Sequence, residues 1–247
     1  MELTHKEKTT LLQRSIELGT TLELNLLHPT RYTQHNPALA DGAEAIGAIH
    51  DLLPHGEVYA NVVRAFHDGD FAFVHVDYHL FEPTVAFDIH RYEDGVAVEH
   101  WDNLQPTPLT RNKSGRTMID GKTQAKDHDK TEANKSLVGA FVREVLVGRD
   151  TAGAGSYFNG DALMQHNPHL GDGAAAFLAR PTARYDAVHQ VLGEGSFVLV
   201  VSEGQYEDKH AAFYDLFRVE QGRIAEHWDV IETIPAPEDR KNSNGKF

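Results

Sequence analysis

An imidazole and a carboxylate two residues apart, His100 and Asp102, close the run Arg91-Tyr92-Glu93-Asp94-Gly95-Val96-Ala97-Val98-Glu99-His100-Trp101-Asp102. The run returns 127 residues later, from Arg218 to Asp229, and both copies read R-x-E-x-G-x-x-x-E-H-W-D. They hold the only two tryptophans of the chain, Trp101 and Trp228. On a strand, residues two apart share a face, so His100 stands with Asp102 and His227 with Asp229, while Glu99 and Trp101 share the other face. Such a face is costly to bury unpaired. It must be solvated, mutually bonded or turned towards a cavity. In a cavity an apolar wall raises a carboxyl pKa and a neighbouring histidine lowers it again, a setting that can move protons near neutral pH. The plain alternative is a sheet edge with satisfied polar groups. A three-residue hairpin at Glu93-Asp94-Gly95 predicts Asp88 opposite His100, and by the same arithmetic Asp215 opposite His227. A two-residue Asp-Gly turn predicts Asp88 on the opposite face, and both registers stay open.

A second repeated element, Gln34-His35-Asn36-Pro37, recurs as Gln165-His166-Asn167-Pro168, followed in each copy by Asp-Gly, at 41–42 and 172–173. Asn before Pro is held extended, so the histidine sits at a chain corner from which it could point inward. It could equally bond only backbone groups. Tyr32, Tyr157 and Phe158 precede these corners as wall or core residues. The first half has extra histidines, His67, His75, His79 and His90. His75, Asp77 and His79 share a strand face at a spacing that could hold a metal. The second half has Val201 and Glu203 there, and no sharp metal signature occurs, so no metal is expected and the two halves are expected to differ. No Gly-rich nucleotide loop and no serine elbow is present, so neither a nucleotide cofactor nor a serine nucleophile is expected.

The elements that must position these residues follow the same duplication, which settles 247 residues as two modules. Apolar spacing predicts a helix over 4–19, a short helix from Leu22 to Leu27, and a helix from Ala43 to Leu53 stopped by Pro54. After Gly56 the period changes to that of strands over 58–66, 71–81, 85–92 and 96–104. Three helical segments and then a strand meander predict an α+β module, helices on one face of an antiparallel sheet. Residues 1–110 form the first module, 111–130 a linker that can dock locally through Met118-Ile119-Asp120-Gly121, and 131–240 the second module, with a frayed tail from Pro235. The net charge of -14 argues against a nucleic-acid partner. The absence of cysteine excludes disulfides and thiol chemistry and fits a cytoplasmic location. No apolar run is long enough for a membrane span.

The order helix, helix, Tyr32-x-Gln-His-Asn-Pro37, Asp-Gly, helix, then strands ending Asp88-x-x-Arg-x-x-x-Gly-x-x-x-Glu-His-Trp-Asp102 resembles the SnoaL-like branch of the NTF2-like (cystatin-like) superfamily. It is most similar to proteins described as SnoaL-like aldol-condensation enzymes. The resemblance covers about 4–105 and 131–235. It implies a curved antiparallel sheet around helices with a deep apolar pocket. It also implies that Asp102 and Asp229 are the acid/base residues, with His100 and His227 beside them, and that His35 and His166 approach from the helix side. The ligand-contacting set is then His35, Asp88 and Trp101 in one module and His166, Asp215 and Trp228 in the other. The implied chemistry is proton abstraction next to a carbonyl of a small apolar compound, leading to ring closure or double-bond migration without a cofactor. A small-molecule-binding or scaffolding protein without turnover is the alternative from another class. The modules are expected to pair sheet to sheet as an intramolecular pseudo-dimer, with a homodimer as a further option.

Overall fold

The computed structural model describes residues 2–53 and 57–247, without the side chains of His50 and Asp51. The stop at Pro54 and the glycine at 56 lie outside the described residues, while the strand expected over 58–66 is found as Tyr59–Asp68. The chain divides into two compact units, one made of Met1–Thr107 with Ile234–Phe247, the other of Pro108–Thr233. This differs from the contiguous division read from sequence. The segment after the first module's last strand belongs to the second unit, and the segment after the second module's last strand belongs to the first. Residues 111–130 belong to the second unit, with Met118 buried as the local docking expected there, and the tail from Pro235 is packed into the first unit and not frayed. No helix among the described residues is long and apolar enough to cross a membrane.

In the first unit, helix α1 (His5–Leu18) starts at a capping box, Thr4 accepting from the Glu7 amide and Glu7 accepting from that of Thr4. Gly19, left-handed at φ 62°, ends it. A 3-10 turn (Leu22–Leu26) leads to the two-residue strand β1 (Thr33–Gln34), and α2 (Ala43–Leu52) follows. The sheet then runs β2 (Tyr59–Asp68), β3 (Phe71–His79), β4 (Pro83–Glu93) and β5 (Val96–Pro106), in the spatial order β1-β5-β4-β3-β2. All pairings are antiparallel except β1 on β5. That parallel edge strand is the one departure from the expected antiparallel sheet.

The second unit repeats this plan with α3 (Thr131–Phe141), β6 (Met164–Gln165), α4 (Ala174–Leu178), β7 (Ala183–Glu194), β8 (Phe197–Tyr206), β9 (Lys209–Glu220) and β10 (Arg223–Thr233). Its sheet order is β6-β10-β9-β8-β7. Helix α3 runs on as a wide π turn (Val142–Val147), whose Val142 and Val145 are buried with Phe141, Phe158, Phe177, Phe213 and Phe217.

The register of the last hairpin decides which way the acids point. Asp94 and Gly95 (φ 49° and 80°) form a two-residue turn, as do Gln221 and Gly222 (φ 51° and 71°). Taken alone, that turn would send Asp88 to the face opposite Asp102. A β-bulge restores the parity. Pairing passes from Tyr92↔Ala97 to Arg91↔Glu99, leaving Val98 as the extra residue. Ala225 is the extra residue in the second copy. Asp88 therefore lies opposite Asp102 and His90 opposite His100, one pair further along than a three-residue loop predicts. In the second unit Asp215 lies opposite Asp229 and Phe217 opposite His227.

Candidate active site

In the first unit the inward face of β4 and β5 is the floor of a cavity of about 300 Å³ that contains Asp88, His90, His100 and Asp102. Its walls are apolar: Leu12 and Ile16 from α1, Ile46 and Ile49 from α2, Leu27, Tyr32, Leu39 and Leu104. Leu52 and Phe81, each 76 % exposed, also line it. A small, mostly apolar hollow with a few convergent polar groups is the usual form of a small-molecule site.

The polar groups of the floor form one connected set. The Gln34 side-chain oxygen Oε1 accepts the backbone N–H of Asn36 at 2.8 Å and faces His100 Nδ1 at 3.0 Å. An oxygen that already accepts one N–H can only accept the second, so Nδ1 carries a proton. His100 Nε2 then faces Asp88 Oδ1 at 3.3 Å, and one proton lies between the imidazole and the acid. Burial raises the Asp88 carboxyl above the ordinary range, against the opposing pull of His100. Tyr78 bonds both Asp88 and Gln13, and burial pushes its hydroxyl up. Burial and the neighbouring His100 push His90 well below the usual histidine range, so it is neutral.

Asp102 is 5 % exposed, and its carboxylate comes within 4.8 Å of this proton-sharing pair. Its Oδ2 accepts Asn36 Nδ2–H at 2.7 Å. Its Oδ1 has no hydrogen-bond partner among the described residues. The Lys246 ammonium, itself buried, lies 3.6 Å from Oδ1.

The second unit has the same polar frame with its space filled. Gln165 Oε1 accepts Asn167 N–H at 2.8 Å and faces His227 Nδ1 at 2.9 Å, and His227 Nε2 faces Asp215 Oδ1 at 2.9 Å. Burial pushes Asp215 up to about 6, although Arg180 and Tyr185 pull it down. Burial also pushes His227 down to about 3, so the shared proton rests on the carboxyl side. Both oxygens of Asp229 are occupied, by Asn167 Nδ2 at 2.9 and 2.8 Å and by Arg180 at 3.0 Å. Phe177 and Phe217 lie against the His227 ring, at 4.4 and 4.7 Å, and the Arg180 guanidinium covers Phe177 at 4.3 Å. Phe217 occupies the place that His90 holds in the first unit. A surface groove lined by Phe177, Arg180 and Tyr185 stops short of the two acids.

Of the residues singled out from sequence, the structure brings Asp88, His100 and Asp102 together in one unit and Asp215, His227 and Asp229 in the other. It places His35, Trp101, His166 and Trp228 elsewhere. His35 stacks on Trp101 at 4.6 Å and its Nε2 faces Glu99 Oε1 at 2.9 Å; Arg91 donates to Glu99 at 2.7 Å. His166 stacks on Trp228 at 4.6 Å, and the chain Arg218, Glu226, His166 repeats the arrangement at 2.6 and 3.0 Å. Alternation along β5 and β10 turns Glu and Trp away from the acids. The histidine of the corner follows them because β1 lies parallel beside β5, with His35 N–H donating to the His100 carbonyl. The repeated motif thus serves two faces, His and Asp towards the hollow, Arg, Glu and Trp fastening the Gln-His-Asn-Pro corner.

Each corner is also clasped by the segment taken from beyond the other module. In the first unit Asn242 Nδ2 donates to the carbonyls of Asn36 and Leu39, Asn244 Nδ2 to that of Gln34, and the Gly245 carbonyl faces His35 Nδ1 at 2.9 Å. In the second, Asn112 Nδ2 donates to the carbonyls of Gln165 and Asn167, and the Thr117 carbonyl faces His166 Nδ1 at 2.9 Å. Sequence reasoning missed these clasps. Their signal is a further repeat, Asn112-x-Ser-Gly-Arg116 and Asn242-x-Asn-Gly-Lys246. Asn36, Tyr78, His90 and Lys246 were likewise not picked as site residues.

Among the described residues two groups have ligand atoms close enough to share a metal ion, Asp88/His100/Asp102 and Asp215/His227/Asp229. Each already has a cation beside its second aspartate, Lys246 or Arg180. His75, Asp77 and His79 do not form such a group. His75 is buried, stacked on Phe87 at 4.3 Å, with its Nδ1 2.5 Å from Arg64.

No protein-family model matches the chain, and no curated protein matches it by sequence. Solved structures similar to parts of it include a proposed ketosteroid isomerase from Kribbella flavida DSM 17836, 16 % identical over 44 % of this chain and 84 % of that one, with a TM-score of 0.38. IdmH, a proposed polyketide cyclase from Streptomyces antibioticus, is 16 % identical over 42 % of this chain and 93 % of its own, at 0.37. An epoxide hydrolase of LEH-like type from M. tuberculosis is 23 % identical over 42 % and 85 %, at 0.33. Each covers less than half of this chain, and the activities in those names belong to those proteins.

Proposed function

We propose that the first unit is an acid/base enzyme acting on a small, mostly apolar carbonyl compound, and that the second unit is a filled, non-catalytic copy. The single observation that carries this reading is Asp102 Oδ1, a buried carboxylate oxygen without a hydrogen-bond partner among the described residues, at the floor of an apolar hollow. A lone pair in that position is a base whose partner has been left for the ligand to supply. Asp102 removes a proton from the carbon next to the carbonyl. The proton shared by Asp88 and His100 lies across the same floor, where it can be given to the developing enolate oxygen. Ring closure or double-bond migration both begin from that enolate, and protein groups alone can carry the proton transfers. The closed packing around Asp229 supports the assignment of a single working half.

Asp102 can be tested before a carbonyl substrate is known, with 5-nitrobenzisoxazole as probe. Its C–H proton passes to the carboxylate, the C–H electron pair becomes part of the nitrile, and the N–O bond breaks to release the nitrophenolate. The protein is expected to speed this saturably. Asp102→Asn is expected to lower the rate ~100-fold or more, within the range of general base catalysis. Ile49→Phe, which narrows the hollow without touching the acids, is expected to raise KM. Equal rates for wild type and Asp102→Asn overturn the proposal.

A further inference from the structure

We infer that Lys246, delivered by the clasp Asn242–Lys246, is a positioning residue of the first unit's site that works through Asp102. The inference rests on the assignment of Asp102 as the base. Lysine seldom gives up water, and an ammonium is buried only where an acid offsets the loss. Here the Lys246 side chain is 2 % exposed and its ammonium faces Asp102. The clasp that brings it is held by named bonds, from Asn242 to the Asn36 and Leu39 carbonyls and from Asn244 to the Gln34 carbonyl and Asp41. Gly245 supplies the turn at φ 84°, in the left-handed region that favours glycine.

Comparison of the two units separates delivery from clasping. The second clasp carries Arg116 at the same place in the motif, but Arg116 pairs with Asp172, not with Asp229. The cation on Asp229 is Arg180, which lies 3.0 Å from Oδ2 and forms a hydrogen bond. Lys246 lies 3.6 Å from Asp102 Oδ1, beyond hydrogen-bond distance. An ammonium held at that range offsets the carboxylate's charge without using its lone pair, whereas the Arg180 N–H at hydrogen-bond distance occupies the Asp229 oxygen. The difference matches the open hollow of one unit and the filled one of the other.

The test uses the full chain and 5-nitrobenzisoxazole. Lys246→Met, close in length and without charge, is expected to lower kcat by ~10-fold or more with KM changed less than ~2-fold, since the hollow keeps its shape and loses charge compensation at the base. Lys246→Arg is expected to recover most of the lost kcat. The double variant Asn242→Ala/Asn244→Ala frees the clasp and is expected to reproduce the Lys246→Met kinetics with the lysine still present. Arg116→Met, altering the corresponding residue of the other clasp, is expected to keep wild-type kinetics. A wild-type kcat in Lys246→Met or in the double asparagine variant overturns the role of Lys246 and leaves Asp102 standing. So does equal loss in Lys246→Met and Lys246→Arg, which would mark shape, not charge, as the requirement. If wild type shows no saturable acceleration, both the base and its positioning residue fall.

Discussion

In the second unit folding moves a proton within the acid–imidazole pair, and the direction of that move can be followed residue by residue. Asp215, pushed up to about 6 by burial, lies above the ~3.9 of an unfolded aspartate. Its contribution favours the folded state below about pH 4 and is lost as the pH rises through 6. His227, pushed down to about 3 against ~6.5 unfolded, acts in the opposite sense. Its contribution is present above about pH 6.5 and is lost as the pH falls. Between about pH 4 and 6 the two slopes cancel, because the chain holds one proton on this pair in either state, on histidine when unfolded and on aspartate when folded. Asp215→Asn removes one side of the balance. Its stability is expected to fall relative to wild type by about 1.4 kcal/mol for each pH unit below about 6, down to about pH 4. Urea midpoints measured at pH 4.5, 5.5 and 6.5 check this, and parallel curves for the two proteins would refute the shared proton.

At the level of elements, what could be read from sequence was what periodicity encodes, and what could not was anything set by one residue. Helix α1 is found at His5–Leu18 and the hairpin strands at Phe71–His79 and Val96–Pro106, each close to the predicted span. His100 and Asp102 are found on one face because spacing along a strand is independent of register. The opposing residue is not so protected. The Asp94-Gly95 turn and the Val98 bulge each shift the pairing by one, and only their sum returns Asp88 to the inner face. No periodic signal marks Val98, an apolar residue among apolar neighbours. The clasps were hidden for a different reason. Their side chains are Asn, Ser and Lys in stretches rich in Gly and Pro, a composition that reads as solvated loop. Gly121 shows how closely the second clasp is seated. It has φ 98°, and an added Cβ would lie 2.3 Å from Glu226 Oε1 and 2.7 Å from the Trp228 ring. Gly121→Ala is therefore expected to destabilise the second unit by more than ~1 kcal/mol, read as a lower denaturant midpoint with an unchanged m value. A neutral substitution there would mean that the 112–121 segment is not seated against the Glu226–Trp228 face.

For the molecule as a whole, each unit is finished by chain that follows the other unit's last strand. Removing residues 234–247 should therefore act on the first unit, although the cut is made beyond the second. The expected result is amide hydrogen exchange faster by ~10-fold or more over Gln34–Asp41, with Gln165–Asp172 unchanged. Faster exchange in the second of these segments alone would contradict the assignment of the clasps. The same crossing has a consequence for synthesis. Domains commonly close in the order in which they leave the ribosome. Here every residue of Pro108–Thr233 has been made before Asn242 or Lys246 exists, so the half translated second is the half that can close first. The earlier half must wait, its acid without a counter-ion, until residues 242–246 emerge.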